Sequence, residues 1–400
     1  MSAGALVGAD AAAPARPLWK DLAPICLMVF FEFLAMGLPL PVLPVRVHGA
    51  LGFGAFVVGL VVGAQSWVTL LTRHMAGTRS DRLGPRSASA LGLGMSALAG
   101  LFLAASALTS SGALSLAVML AGRALLGVGE SLVVTGALAW GVALAGRERT
   151  GVVMAWTGIA MYGAMAVGAP LGSAIDARAG FVAVALVAAF APLLGMGASR
   201  LVAAVEPTGG SRLPLRHVAG LIWLPGLGLS LCALGFGAIA GFAILLFRDH
   251  GWPHAALAMT AFGAAFVLAR LLFGRFPDRF GGARIAVAST GIALLGQVGM
   301  WLATSGGMAV AAAGLTGFGF SLAFPSFGVV AMRHVPPQSR GVALGAYAAC
   351  FDATMGVGVP LLGAVAGSLG YRAAFGASAL AGVVSFAVAL VLARRDGRAA

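Results

Sequence analysis

Gly77-Thr-Arg-Ser-Asp81-Arg82-Leu-Gly84-Pro-Arg86 is a charged segment between two long apolar runs. Its spacing returns at Gly274-Arg-Phe-Pro-Asp278-Arg279-Phe-Gly281-Gly-Ala-Arg284. Both copies read Gly, three residues, Asp-Arg, one residue, Gly, and both end in Arg. A repeat this far apart marks a chain built of two similar halves. The glycines permit a tight turn that bulkier residues resist. The Asp is suited to accept hydrogen bonds from the start of a neighbouring helix, where its charge is favoured. The arginines suit lipid phosphates or the carbonyl ends of helices, which makes membrane lipids an expected partner.

The surrounding sequence sets the solvent. Of 400 residues, 60% are hydrophobic and 9% charged, and the mean hydropathy is +0.99. No soluble domain keeps that much apolar surface from water. The chain therefore reads as an all-α, multi-pass membrane protein; transmembrane strands would alternate apolar with polar residues, and these runs do not. The 60 Gly and 18 Pro sit largely inside apolar runs, as membrane helices tolerate. The net charge of +13 raises the possibility of nucleic acid. The basic residues lie at span ends and not on a polar domain, which excludes it. Cys26, Cys232 and Cys350 fall in apolar runs without metal-ligand spacing and read as small packing residues. The six His make no metal or catalytic constellation, and no Gly-rich loop precedes a Lys to cradle phosphate. No metal, no cofactor and no ATP-driven chemistry is expected.

Twelve spans are predicted: 22–45, 54–76, 87–108, 113–142, 151–175 and 180–204, then 219–247, 255–273, 284–304, 307–332, 341–366 and 371–393. Each is near or above the ~20 residues that cross a hydrocarbon core. The division that follows is a tail over 1–21, a six-helix bundle over 22–204, a linker over 205–218, a second bundle over 219–393 and a tail over 394–400. The first 17 residues are Ala-rich, and their small residues precede the first apolar run, unlike a cleavable signal. Loops on the side of the termini carry Arg73, Arg79, Arg82 and Arg86; Arg147 and Arg149; Arg200, Arg212 and Arg216; Arg270, Arg275, Arg279 and Arg284; Arg333 and Arg340. The opposite side has Arg46, Arg178, Arg248 and Arg372. By the positive-inside rule both termini are cytoplasmic.

A second echo supports the two halves. Arg149-Thr-Gly151 opens span 5 and Arg340-Gly341 opens span 11. Each span later carries a cluster: Gly168, Pro170 and Gly172 in one, Gly358, Pro360 and Gly363 in the other. Pro170 follows Gly151 at the same distance as Pro360 follows Gly341.

Four charges lie well inside spans: Glu32, Arg123, Glu130 and Asp352. Each costs roughly 2.5–3.5 kcal/mol at a helix centre on insertion scales, so they face a wet cavity or each other. A carboxyl that gains and loses a proton is what a proton-coupled carrier needs, and Glu32 and Asp352 are both candidates. Glu130 follows Arg123 by seven residues, sharing its face but about 10 Å along the axis, too far for a direct pair. Arg123 must find a backbone carbonyl, a water or a substrate anion. Span 1 ends in Gly37-Leu-Pro39-Leu-Pro41-Val-Leu-Pro44, whose prolines unwind its outer end. Gln65 and Trp67 in span 2, with Tyr347 in span 11, are candidates to line a substrate cavity.

The twin charged segments resemble the loop 2-3 motif of the major facilitator superfamily of transporters and its echo in loop 8-9. Arg123-Ala-Leu-Leu-Gly127-Val-Gly129-Glu130 resembles that superfamily's span-4 motif. The Gly-Leu-Pro-Leu-Pro run and Leu71-Thr72-Arg73 resemble the bacterial YfcJ/YhhS-type members, which are grouped with sugar and drug exporters. The resemblance implies twelve helices in two six-helix bundles, a bacterial inner-membrane location and transport by alternating access. It links Arg123 to proton coupling or substrate contact. It implies proton-coupled export of a small organic solute by a monomer; an importer or uniporter is the nearest alternative. A receptor that binds without flux is the alternative of another class, and without a nucleophile–base pair no enzyme is expected. Asp81 is expected to latch to the start of span 11 near Gly341, and Asp278 to the start of span 5 near Gly151. Gly168-Ala-Pro170-Leu-Gly172 departs from the superfamily's exporter motif, which has Gly and Pro adjacent, and close helix packing explains it as well.

Overall fold

In lipid every backbone polar group must be paired within its own segment, so long apolar runs become helices. The computed structural model describes residues 18–146, 149–205, 215–333, 335 and 340–399, and the described residues are almost wholly helical. The first half comprises α1 (Leu18–Gly37), α2 (Leu43–Val45), α3 (Ala55–Leu83), α4 (Pro85–Ser106), α5 (Gly112–Ala145) and α6 (Thr150–Ser199). The second comprises α7 (Leu215–Asp249), α8 (Ala256–Phe273), α9 (Phe276–Phe280), α10 (Gly282–Trp301), α11 (Gly306–Met332), α12 (Arg340–Leu369) and α13 (Tyr371–Ala399). Ten of these helices are long and apolar enough to cross a membrane. The expected tail over 1–17 and most of the expected linker, residues 206–214, lie outside the described residues.

At 50 residues, α6 would run about 75 Å, far beyond one crossing of ~30 Å. It breaks at Gly180 (φ 77°, ψ 174°), a conformation L side chains rarely adopt. The two arms run in opposite directions along α1. In the first arm Val153 lies beside Leu22 across Gly141, and Gly168 meets Gly37; in the second, Gly195 returns to Met28 and Phe31. Counting the arms separately, six long helical segments precede residue 206 and six follow it.

Two boundaries depart from the sequence reading for physical reasons. The first span stops at Gly37, not at residue 45. Residues 38–42 form a turn, then α2 runs into a π-helical turn over Arg46–Ala50, as three prolines in six residues require. The charged segment expected to be a loop is mostly helix. Gly77 through Leu83 are the last turns of α3, and only Gly84 (φ 84°) makes the turn. In the second copy α8 ends at Phe273, the short α9 has Pro277 at its start, and Gly281 (φ 93°) turns in the place of Gly84.

The halves meet along α3 with α12 and α6 with α8. Lipid tails give apolar side chains no incentive to leave them, so close packing depends on small residues. Gly59 faces the backbone of Val359 and Pro360, Gly63 that of Met355, and Gly363 that of Ala55 and Phe56. Gly172 lies against the Leu38 backbone with no room for a Cβ. In the span 11 cluster Pro360 and Gly363 thus serve the contact between halves, whereas Gly358 faces Leu234 and the span 5 glycines Gly168 and Gly172 face the end of α1, each within its own half.

Candidate functional site: a polar stripe across the seam of the two halves

Gln65, Thr69 and Arg73 recur every four residues and so line one face of α3. Each is committed to a partner on another helix. Gln65 Nε2 donates to Glu130 Oε2 at 2.6 Å, and Thr69 Oγ1 reaches the same oxygen at 3.2 Å. Gln65 also touches Met36 Sδ, 3.3 Å away on α1. One turn further, Arg73 Nε donates to Asp352 Oδ2 at 2.9 Å and Arg73 Nη2 donates to the same oxygen. Arg73 belongs to the first half and Asp352 to the second, so this partly buried ion pair is a bridge across the seam.

The glycines of the α5 motif explain how these groups come within reach. Gly127 lies against α3 at Gln65 and Thr69, while Gly129 lies against α4 at Gly92 and Ser96. A side chain at either position would hold the helices apart. On the α4 side Ser96 Oγ donates to Glu32 Oε1 at 2.6 Å; Glu32 Oε2 is buried without a hydrogen-bond partner. Glu130 accepts from Gln65 and Thr69, on the face of α3 that carries Arg73. Glu130 and Asp352 are thus held by one face of α3, and Glu32 is held from α4.

Arg123 stands apart. It is fully buried, and its Nε and Nη2 donate to the carbonyls of Val61 and Val62 at 3.0 and 2.9 Å. Of the partners open to it in the sequence reading, it takes backbone carbonyls. It sits eleven residues into α5, in the half of that helix away from the termini, and stitches α5 to α3 there.

The expected cavity-lining aromatics take two different places. Trp67 packs on Gly356 and shares its face of α3 with the exposed Leu71 and Met75; a helix rotation of a few tens of degrees decides this, and spacing alone does not supply it. Tyr347 is buried and donates to the Phe324 carbonyl at 2.7 Å, tying α12 to α11. Gln65 is the cavity candidate that joins the polar cluster.

In the twin motifs Arg82, Arg86, Arg279 and Arg284 are exposed. Asp81 is half-buried, and Asp278 is exposed with no hydrogen bond or ion pair among the described residues. The expected contact of Asp81 with the start of span 11 falls on residues 340–342, whose side chains lie outside the described set. The sequence reading missed two inward-facing arginines, the half-buried Arg73 and the buried Arg270, by assigning both to loops. Arg270 donates from Nη2 to the Ser321 carbonyl at 2.6 Å and lies 5.2 Å from the Phe266 ring centroid. The available signal was positional: each Arg stands four residues before the first Gly of its motif.

This architecture matches what is found among known proteins. The structure resembles the human organic anion transporter MFSD10 (TM-score 0.67, 17% identity, 94% of this chain and 100% of that one). It also resembles the nucleoside transporter NupG in its D323A form (TM-score 0.73, 14% identity, 93% and 99%). At these identities the likeness shows the fold. In sequence the chain is 39% identical to an MFS-type transporter of Salmonella typhimurium over 92% of this chain and 95% of the other. It is 42% identical to one of Pseudomonas aeruginosa over 94% and 93%. The Major Facilitator Superfamily model matches residues 25–225 and again 226–400, one half at a time. The chain belongs to the Major Facilitator Superfamily of membrane transporters.

Proposed function

We propose that this transporter exchanges protons for a small organic solute, and that Asp352 carries the proton. The observation behind this reading is the Arg73–Asp352 bridge across the seam. A proton on Asp352 removes the charge that Arg73 holds. Its arrival would therefore loosen the seam on the α3–α12 side, which ties proton binding to the rocking of the halves. Glu32 is the second acid: it is held by Ser96, against which Gly129, the neighbour of Glu130, packs. Export is the preferred direction. Import by the same machinery is the second reading: Gly168-Ala-Pro170-Leu-Gly172 departs from the exporter pattern, and Gly168 and Gly172 pack against α1.

The test uses everted membrane vesicles with an imposed acid interior, followed by a pH-sensitive dye as sugars, drugs and organic acids are added. Antiport predicts proton efflux in response to a solute, abolished in Asp352→Asn and reduced in Glu32→Gln. Solute flux of wild-type size in Asp352→Asn, with proton movement intact, would remove Asp352 from the role. Counterflow against uptake in the same vesicles separates export from import.

A further inference from the structure

The two halves repeat the seam arginine but not its partner. Arg73 stands four residues before Gly77, and Arg270 four before Gly274, so the two are equivalent positions of the repeat. Asp352 stands eight residues before Pro360, and Tyr162 eight before Pro170. The α3–α12 seam thus pairs Arg73 with a carboxylate, and the α6–α8 seam sets Arg270 against a phenol. The neighbours follow the same substitution. Gln65 and Thr69 of α3 correspond to Phe262 and Phe266 of α8, and the Tyr162 ring lies 3.9 Å from that of Phe266.

Arg270 is left short of partners. It is 8% exposed, and a guanidinium carries five N–H donors. One of its nitrogens donates, to the Ser321 carbonyl, and its Nε is buried without a partner. Among the described residues no carboxylate forms an ion pair with it. The Tyr162 hydroxyl makes no hydrogen bond among the described residues, and the Tyr162 ring and the Arg270 guanidinium both lie against Phe266, 3.9 and 5.2 Å from that ring's centroid. A buried, unneutralised guanidinium costs several kcal/mol unless something supplies the missing charge.

We infer that Arg270, with the Tyr162 hydroxyl as second donor, is the anchor for a carboxylate group on the transported solute. The repeat marks the place: the solute's carboxylate takes, beside Arg270, the position that Asp352 takes beside Arg73. A planar guanidinium matches a carboxylate in two parallel hydrogen bonds, and the phenol adds a third. Phe262, Phe266 and Phe236 around Tyr162 supply an apolar wall, so the solute is an organic acid with an apolar body. This inference rests on the seam being the transport path, as proposed above, but not on the coupling ion or the direction.

The experiment is a melting series on the purified full-length chain in detergent, without any gradient, so its outcome is independent of the proton assay. The probes are benzoate, phenylacetate and lactate, each beside its neutral amide, with inorganic phosphate and chloride as small-anion arms. At least one carboxylate is expected to raise the melting midpoint where its amide does not. Arg270→Gln should weaken its apparent affinity at least about tenfold, Arg270→Lys less, and Tyr162→Phe least. Tyr162→Asp keeps the arginine and gives it the partner that the other seam has; it should abolish the carboxylate effect while leaving the chain as stable as wild type or more so. Amides as effective as acids, phosphate or chloride as effective as the organic acids, or an undiminished carboxylate response in Tyr162→Asp would each overturn the proposal.

Discussion

Arg73 and Asp352 make the clearest case at the scale of single residues. Two opposite charges taken out of water cost more than they return unless each keeps the other, so removing one partner leaves the second uncompensated. The Arg73 side chain is 18% exposed and that of Asp352 3%, so the pair sits in the regime where loss of one partner costs about 3–5 kcal/mol. Arg73→Ala and Asp352→Ala should each lower the melting midpoint of the purified protein markedly. Arg73→Asp combined with Asp352→Arg keeps both charges and should recover a large part of that loss. A swap no more stable than the worse single variant would mean that the bridge does not hold the seam. Asp352, Glu32, Arg123 and Glu130 were all legible in the sequence, because a charge deep in an apolar run is costly and so must have a partner or a wet face. Their partners were not. Arg73 and Arg270 lie within the last turns of their spans, close to the charged motifs, and a count of basic residues by side assigns them to loops. What Trp67 and Tyr347 touch depends on the rotation of α3 and α12, which a few charges and glycines do not fix.

At the scale of elements, the twin motifs show how far spacing carries. The repeat of Gly, Asp-Arg and Gly located the connection between spans 2 and 3 and between spans 8 and 9. It did not say which glycine turns. In both copies the second does: Gly84 and Gly281 adopt φ of 84° and 93°, while Gly77 lies inside α3. A non-glycine residue there pays about 1–2 kcal/mol for the left-handed backbone. Gly84→Ala and Gly281→Ala should therefore destabilise the purified protein by about that amount. Gly94→Ala is the control; Gly94 is inside α4 with open space where a Cβ would go, and the change should be neutral or slightly stabilising. Equal melting midpoints for Gly84→Ala and Gly94→Ala would remove the turn from Gly84. The copies also diverge, for a reason in their composition: Pro277 cannot continue a helix from α8, so the second motif is a separate short helix where the first is an extension of α3. Proline chemistry likewise ended the first span at Gly37, and the gap read between residues 175 and 180 is where α6 reverses.

For the whole molecule, two halves were legible from echoes alone; which end of the seam is shut was not, because it depends on contacts between segments far apart in sequence. The structure shuts the end away from the termini. There the π-helical turn after α2 meets the second half: the His48 and Tyr371 rings are 6.2 Å apart, and Gly49 lies beside the Arg248 guanidinium. Leu40 and Pro41 face Ile239, Ala240 and Ala243 of α7 across one shared cleft. Proline-broken backbone forms this closure, which suits a segment that must yield while the helices behind it move as rigid bodies. Alternating access requires these contacts to part in every cycle. Cysteines at His48 and Tyr371, in a chain with Cys26, Cys232 and Cys350 replaced by Ala, should be joined by a short cleavable bis-thiol reagent. Joining them should stop solute flux and the proton response together, and cleaving the link should restore both. The unlinked double variant should carry on at near the parent rate, since both positions lie at the rim and outside the polar stripe. Complete cross-linking with undiminished flux would show that the outer ends stay together during transport, and the two-half rocking model would have to give way to movement confined to the α3–α12 and α6–α8 seams.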